Sequence, residues 1–183
     1  MPIQHIFRPL LPLLPVLITT PLAAENWIAL FNGENLDGWT PKFSNCEAGE
    51  NPGRVFRVED GKLKVCYDDV EEFNGFGHLY YKTPFSHYRI RAEFRFTGEQ
   101  LRGGPGWAFR NNGLMLHCPP PELVALEQNF PSSIEMQFWG NKPSLGEKFG
   151  NRHMGNPYTP GTRVLINGEK VETPDSTSPL FSG

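Results

Sequence analysis

The clearest strand pattern in this chain is Ser133-Ile134-Glu135-Met136-Gln137-Phe138-Trp139, in which side chains of two kinds alternate. Successive side chains of a strand point to opposite faces, so the pattern predicts a sheet strand with one apolar face and one functional face. The apolar face carries Ile134, Met136 and Phe138, and the functional face carries Glu135, Gln137 and Trp139. A carboxylate, an amide and a flat indole on one surface suit a sugar. An ordinary solvated face of a β-sandwich fits the alternation equally well.

The composition of the rest of the chain favours an all-β protein. The 183 residues include 19 Gly and 18 Pro, and many short alternating runs are separated by turn residues. Such a pattern is typical of an antiparallel β-sandwich or jelly roll. The longest alternating run is Tyr88 to Phe96, and hairpins are predicted around Glu59-Asp60-Gly61 and Asn167-Gly168, whereas residues 41–54 are predicted to form a loop. The formal net charge of -3, without a Lys/Arg cluster, excludes a nucleic-acid-binding protein.

The first 24 residues are predicted to be a secretory signal peptide, followed by one domain over residues 25–183. Arg8 precedes an apolar run from Pro9 to Leu22, and the small residues Ala23-Ala24 follow it. We therefore expect export to the periplasm or the extracellular space, with no membrane span after cleavage. An uncleaved membrane anchor is the alternative, but the run is short and rich in proline.

The three cysteines raise the possibility of a disulfide bond, and the acidic run 68–72 raises that of a metal site. An exported chain can form disulfides, and a Cys46–Cys66 bond is plausible with Cys118 left over, although three free buried thiols are equally compatible with the sequence. The absence of a CxxC pattern disfavours a zinc cluster. The acidic run 68–72 lacks the spaced ligands of a calcium loop, so a solvated loop is favoured. The sequence predicts no cofactor and leaves metal binding and oligomeric state open.

Four motifs in order resemble the 3-keto-disaccharide hydrolase domain family. They are Leu30 to Trp39, Phe85-Ser86-His87-Tyr88 with its following strand, Asn111 to His117, and Ile134 to Gln137. The resemblance extends from Trp27 to about Val171. It implies a concanavalin-like jelly roll with a concave, glycan-binding face.

The same resemblance implies cleavage of glycosides whose sugar is oxidised at carbon 3. The ketone acidifies the neighbouring C–H, the leaving group departs by elimination, and water then adds. This sequence departs from the family pattern at Asn112, where a serine is usual, and at its end, where the family continues with further strands. We therefore expect a jelly roll missing its C-terminal strands. A truncated, inactive copy is one alternative to an active enzyme.

The candidate site contains three catalytic and three substrate-binding residues. Glu135 is the predicted general acid/base, and the expected helpers are His117, which could shuttle a proton, and Arg110, which could bind developing negative charge. The predicted sugar contacts are Gln137, Asn112 and Trp139, the last by stacking.

Most of these candidates have a simpler interpretation. Glu135 could anchor a sugar or be an exposed strand acid, Arg110 could form a surface ion pair, and Trp139 could be a rim residue of the core. His117 could be a structural hydrogen-bonding residue, and Asn112 could simply make the turn before Gly113. Because Gln137 replaces the next acid along the strand, the paired carboxylates of an ordinary glycosidase are absent there. The sequence thus favours an exported hydrolase of (3-keto-)glycosides, with a non-catalytic carbohydrate-binding module as the alternative.

Overall fold

The computed structural model of the chain describes residues 26–141, 153–166 and 168–171. The predicted signal peptide lies outside these residues. The described strands are β1 (Trp39–Phe43), β2 (Phe56–Glu59), β3 (Lys62–Val65), β4 (Gly77–Tyr81), β5 (Asn111–Leu116), β6 (Ile134–Trp139), β7 (Pro157–Tyr158), β8 (Val164–Ile166) and β9 (Glu169–Val171). The helical elements in the described part are the short 3-10 turns Pro52–Arg54, Gly106–Ala108 and Pro121–Leu123.

Every strand pairing in the described residues is antiparallel. β1 pairs with β4, β2 with β3, and β8 with β9, while β5, β6 and β7 form a three-stranded sheet. The prediction of an all-β, antiparallel fold is confirmed, and this arrangement is consistent with a sandwich or jelly roll. The two predicted hairpins are also confirmed, as β2–β3 and β8–β9.

The longest predicted strand does not form. Residues 88–96 carry no strand pairing, and the expected core residues Tyr88, Ile90 and Phe94 are 37%, 41% and 44% exposed. Phe94 stacks its ring on Phe138, with the ring centroids 4.1 Å apart. The alternation therefore indicates an extended segment with one apolar side. This side is more exposed than the buried face of a strand in a sheet would be.

The first strand, β1, was not predicted from the sequence. β1 begins at Trp39 and occupies the start of the supposed loop 41–54. Its last residue, Phe43, forms the centre of the core with Val55 and Phe56, and the Phe43 and Phe56 ring centroids lie 5.1 Å apart. Because these side chains come from β1 and from the start of β2, their burial fixes the first hairpin against the β1–β4 sheet.

Hydrogen bonds to Asn129 connect the β1–β4 sheet to the segment that precedes β6. We call this set of bonds the Asn129 clasp. The Ser44 hydroxyl donates to Asn129 Oδ1 at 2.9 Å, and His78 Nε2 donates to the Asn129 carbonyl oxygen at 2.8 Å. The backbone N–H of Asn45 donates to the carbonyl of Leu126. The clasp places the entrance of β6 beside β1 and β4.

Aromatic packing supports the same junction. The ring of Phe76, just before β4, lies 4.7 Å from Phe130 and 5.4 Å from Trp107, measured between centroids. Phe130 precedes β6 and Trp107 precedes β5. The three rings therefore pack together near the starts of β4, β5 and β6. Aromatic pairs at these separations are worth about 0.5–1.5 kcal/mol beyond their burial.

The three cysteines are free and partly buried, so the disulfide considered between Cys46 and Cys66 is not formed. In the acidic run, the carboxylates of Asp68 and Asp69 pair with the Arg57 guanidinium and are themselves exposed. Among the described residues, no group of three or more His, Cys, Asp or Glu is arranged to hold a metal ion. None of the helices found there is long and apolar enough to cross a membrane.

Candidate functional site

The site is built on β6 and its two neighbours. In the register of the sheet, Glu135 lies opposite Met115 of β5 and Tyr158 of β7, and Gln137 lies opposite Gly113. Directly opposed side chains in an antiparallel sheet share a face. Glu135 is therefore a central, partly buried residue of a three-stranded sheet, with strands on both sides to hold its backbone in place.

The side chain of Glu135 lies over Gly113. A Cβ atom placed on Gly113 would be 2.5 Å from Glu135 Oε1, 2.6 Å from Cγ and 3.0 Å from Cδ. A side chain at position 113 would therefore require the Glu135 side chain to move, and the glycine provides the space that the carboxylate occupies. The sequence analysis did not single out Gly113 in this role, because it follows only from the β5–β6 register.

Next to this carboxylate is a hydrogen-bonded pair of amides, of which Gln137 is buried and Asn111 is partly buried. Gln137 is only 1% exposed, and its Nε2 donates to Asn111 Oδ1 at 2.7 Å, while Asn111 Nδ2 donates to the Trp107 carbonyl oxygen at 3.0 Å. Trp139 is also buried, at 7% exposure. The sequence predicted that the apolar face of β6 would be the buried one. Instead, Gln137 and Trp139 are more buried than the apolar side chains Ile134, Met136 and Phe138.

This burial changes what the two residues can contact. Neither Gln137 nor Trp139 lines the large cleft described below, and the indole N–H of Trp139 has no hydrogen-bond partner in the described part of the chain. The side-chain oxygen of Gln137 is likewise buried without such a partner. In this structure both residues support the sheet from within, and neither presents a surface on which a sugar could stack.

Asn112 lies on the opposite face of the sheet from Glu135. It is opposite Phe138 in the register, is exposed, and its Oδ1 accepts a hydrogen bond from the N–H of Gly113. The asparagine that shares a face with Glu135 is Asn111, which the sequence analysis missed. One position separates the two residues, and a shift of one position reverses the face in a strand.

The two predicted helpers flank β5 at its opposite ends. Arg110 precedes the strand and places its guanidinium 5.1 Å from the Phe109 ring centroid, and His117 follows it with its ring 5.6 Å from that of Tyr88. The carboxylate of Glu135 lies over Gly113, so at about 3.4 Å per residue Arg110 lies roughly 10 Å and His117 roughly 14 Å along the strand from it. The structure therefore does not bring both to one reacting atom, and Arg110 is the nearer.

Both helpers have backbones outside the strand conformation. Arg110 has φ of 48° and His117 has φ of 55°, values in the left-handed region that non-glycine residues seldom adopt. The side-chain alternation of β5 cannot be extended to either residue. Each is exposed, so each could reach a ligand in the cleft beside its own end of β5.

A second histidine, His78, has a perturbed protonation equilibrium. Burial lowers the pKa of His78, opposed by its hydrogen bond to Asn129, and the Lys42 ammonium lowers it further. Lys42 is opposite His78 in the β1–β4 register and is 3% exposed. Its Nζ donates to the carbonyl oxygens of Phe43 and Cys46. These contacts give His78 and Lys42 structural roles in the first sheet.

A large, partly open cleft of about 2660 Å³ is lined by residues of β1 to β7 and of the segment between β4 and β5. Glu135, Gly113 and Tyr158 line it, as do Arg110 and His117. Sites for small ligands commonly measure roughly 300–1,000 Å³, so this cleft has space for more than one sugar unit. The carboxylate of Glu135 is thus the acidic group of the β6 strand that faces this space.

Comparison with known proteins assigns the chain to a family. The sequence model of the 3-keto-alpha-glucoside-1,2-lyase-like domain matches residues 26–179, which is most of the chain. No curated protein and no solved structure matches it. The match covers the four motifs quoted above and the strands that carry Glu135. The chain therefore belongs to the 3-keto-alpha-glucoside-1,2-lyase-like domain family, a family related to carbohydrates.

Proposed function

We propose that this protein cleaves glycosides oxidised at carbon 3 of the sugar, with Glu135 as the general base. The family supports a carbohydrate-active role. The observation that carries the specific proposal is the position of the Glu135 carboxylate, which faces the cleft over Gly113, a residue that leaves space for it. A base acting on a C–H bond needs a fixed geometry more than it needs a second carboxylate.

In the proposed reaction, a carboxylate oxygen of Glu135 takes the proton from carbon 2, which the ketone at carbon 3 has made acidic. The electron pair of that C–H bond forms a double bond between carbons 1 and 2, and the bond from carbon 1 to the glycosidic oxygen breaks. The aglycone leaves with the electron pair of that bond and takes up a proton. Addition of water across the new double bond would give the 3-keto sugar, and this completes a net hydrolysis.

The surrounding residues divide into supporting and contacting groups. The buried Gln137–Asn111 hydrogen bond fixes β5 against β6 and so supports the position of Glu135. His117 is the proposed proton donor to the leaving oxygen, because an imidazole transfers protons readily and a guanidinium does not. Arg110 remains a proposed contact to more distant parts of a bound ligand, whereas Asn112 lies on the opposite face of the sheet from Glu135 and is assigned no contact.

The test is turnover of 3-keto-glucosides beside their unoxidised counterparts by the purified protein. We expect product only from the oxidised sugars, and a rate that falls several-fold when carbon 2 carries deuterium. Glu135→Gln, which keeps the shape but removes the basicity, should lower kcat by roughly 10²–10⁴-fold. Glu127→Gln is the matched control, since Glu127 is exposed and does not line the cleft.

Two results would contradict the proposal. Retention of the wild-type rate by Glu135→Gln would show that another group removes the proton. Binding of sugars without any product, from a protein that unfolds cooperatively, would favour the carbohydrate-binding module.

We further propose that residues 1–24 direct export and that the domain over residues 25–183 is the mature form. The charged, apolar and small-residue regions of this segment support the proposal. Mass spectrometry of the protein recovered from the periplasm or medium would test it, with a new N-terminus after Ala24 as the expected result. An intact Met1 on exported protein would contradict cleavage.

A further inference from the structure

A series of aromatic rings lines the cleft in addition to Glu135. We call it the aromatic strip, and its members are Trp39, Tyr81, Phe85, Tyr88 and His117. The centroid separations between successive rings are 5.1, 6.2, 6.2 and 5.6 Å. Every member lines the cleft that also contains Glu135, so the strip is a wall of the proposed site's own space.

The strip is accessible from the cleft. Phe85 and Tyr88 are 40% and 37% exposed, His117 is exposed, and Trp39 and Tyr81 are partly buried. Contiguous exposed apolar surface on a protein commonly marks a binding site. Because core packing does not use these ring surfaces fully, they remain available to a ligand.

The rings of the strip are held by one another. Tyr81 and Phe85 stack with their planes within 11° of parallel, and the pairs Trp39–Tyr81 and Phe85–Tyr88 meet edge to face at 62° and 65°. The indole N–H of Trp39 donates to the Leu30 carbonyl oxygen at 3.1 Å, which fixes the plane of the first ring. His117 closes the series at the end of β5.

We infer that the aromatic strip binds further sugar units of an oligosaccharide whose oxidised end is held at Glu135. A pyranose ring has an apolar C–H face that packs on an aromatic face, and hydroxyl groups around its edge. The strip supplies ring faces, and the imidazole of His117 and the Ser86–His87 hydrogen-bonded pair supply polar atoms beside them. Apolar walls with a few polar groups are typical of ligand sites. The inference rests on the proposed function for its choice of a glycan as the ligand.

The two ring positions best suited to a test are Phe85 and Tyr88, because both are exposed and their removal leaves the core intact. Binding of unoxidised malto- and cello-oligosaccharides, from disaccharide to hexasaccharide, would be measured by calorimetry. We expect the Kd of the wild type to fall with chain length. Phe85→Ala and Tyr88→Ala should each weaken hexasaccharide binding by about tenfold, equivalent to about 1.4 kcal/mol.

The control variant is Leu123→Ala, because Leu123 is 73% exposed and lies outside the cleft lining. It should bind the hexasaccharide like the wild type. A Kd that does not change with chain length, or strip variants that keep the wild-type Kd, would overturn the inference. Sedimentation of the same variants tests the alternative occupant: if Phe85→Ala changes self-association and leaves glycan affinity unaltered, the strip is a contact between copies of this chain.

The test separates this inference from the proposed function. Phe85→Ala should keep wild-type turnover of an oxidised disaccharide, because it is Tyr88, not Phe85, whose ring packs on the proposed proton donor His117. If the wild type binds longer chains more tightly through the strip but releases no product from oxidised sugars, the enzyme proposal fails and the strip remains supported. If it cleaves oxidised disaccharides without a chain-length effect on binding, the strip inference fails alone.

Discussion

The closest test of the site is to fill the space that Gly113 leaves for Glu135. In Gly113→Ala, the new methyl group would lie 2.6 Å from Glu135 Cγ and 2.5 Å from Oε1. Carbon atoms pack at about 3.5–4.0 Å, so the side chain of Glu135 must retreat by about 1 Å. A displacement of that size in a catalytic group can cost about 10²-fold in rate, and we expect kcat/KM for an oxidised glycoside to fall by about that factor.

A double-mutant cycle shows whether the effect passes through Glu135. Kinetics and urea unfolding would be measured for Gly113→Ala, for Glu135→Ala and for both changes together. Removing the Glu135 side chain removes the clash, so the alanine at position 113 should then have little further effect on either quantity. Contacting residues commonly show coupling free energies of about 0.5–3 kcal/mol. Unchanged kinetics for Gly113→Ala alone, or an equal loss with and without Glu135, would refute the geometric argument.

Three further predictions follow from buried groups. Gln137→Ala should lower the free energy of unfolding by about 1–3 kcal/mol, because it leaves Asn111 without its partner; Asn112→Ala, at an exposed position, should change it by less than about 0.5 kcal/mol in the same urea titration. The pKa of His78 is lowered by burial, so the folded state resists protonation, and the melting temperature should fall as the pH drops below about 6.5. His78→Gln, which can still donate to Asn129, should flatten that dependence, and an unaltered slope would assign it to other groups. Titration of the unfolded protein with a thiol reagent should find Cys46, Cys66 and Cys118 all reactive without prior reduction, whereas a gain in reactive thiols after reduction would reveal a disulfide.

Local pattern was sufficient to predict the strands that have local partners. The hairpins β2–β3 and β8–β9 follow from turn residues between short alternating runs, and β6 follows from its own alternation. Residues 88–96 show the limit of this reasoning. Their alternation identifies an apolar side, but the partner that would cover it is specified elsewhere in the chain.

For the candidate site, the sequence predicted the strand that carries Glu135 but not the register that sets its neighbours. Glu135 and Gln137 do share a face, as the period of a strand requires. The choice between Asn111 and Asn112, and the part played by Gly113, depend on which residue of β5 stands opposite which residue of β6. That choice depends on long-range pairing, and no local signal in either strand carries it.

The Asn129 clasp has a consequence for the order in which the molecule assembles. Ser44 and Asn129 are 85 residues apart in sequence, so their hydrogen bond closes a long loop. Closing such a loop lowers the chain entropy before the contacts that compensate for this loss have formed. Folds rich in contacts between distant residues therefore form slowly. We therefore expect the β2–β3 hairpin to form early and the cleft to form last. A nascent chain would acquire its binding surface only after the residues up to β6 have been synthesised.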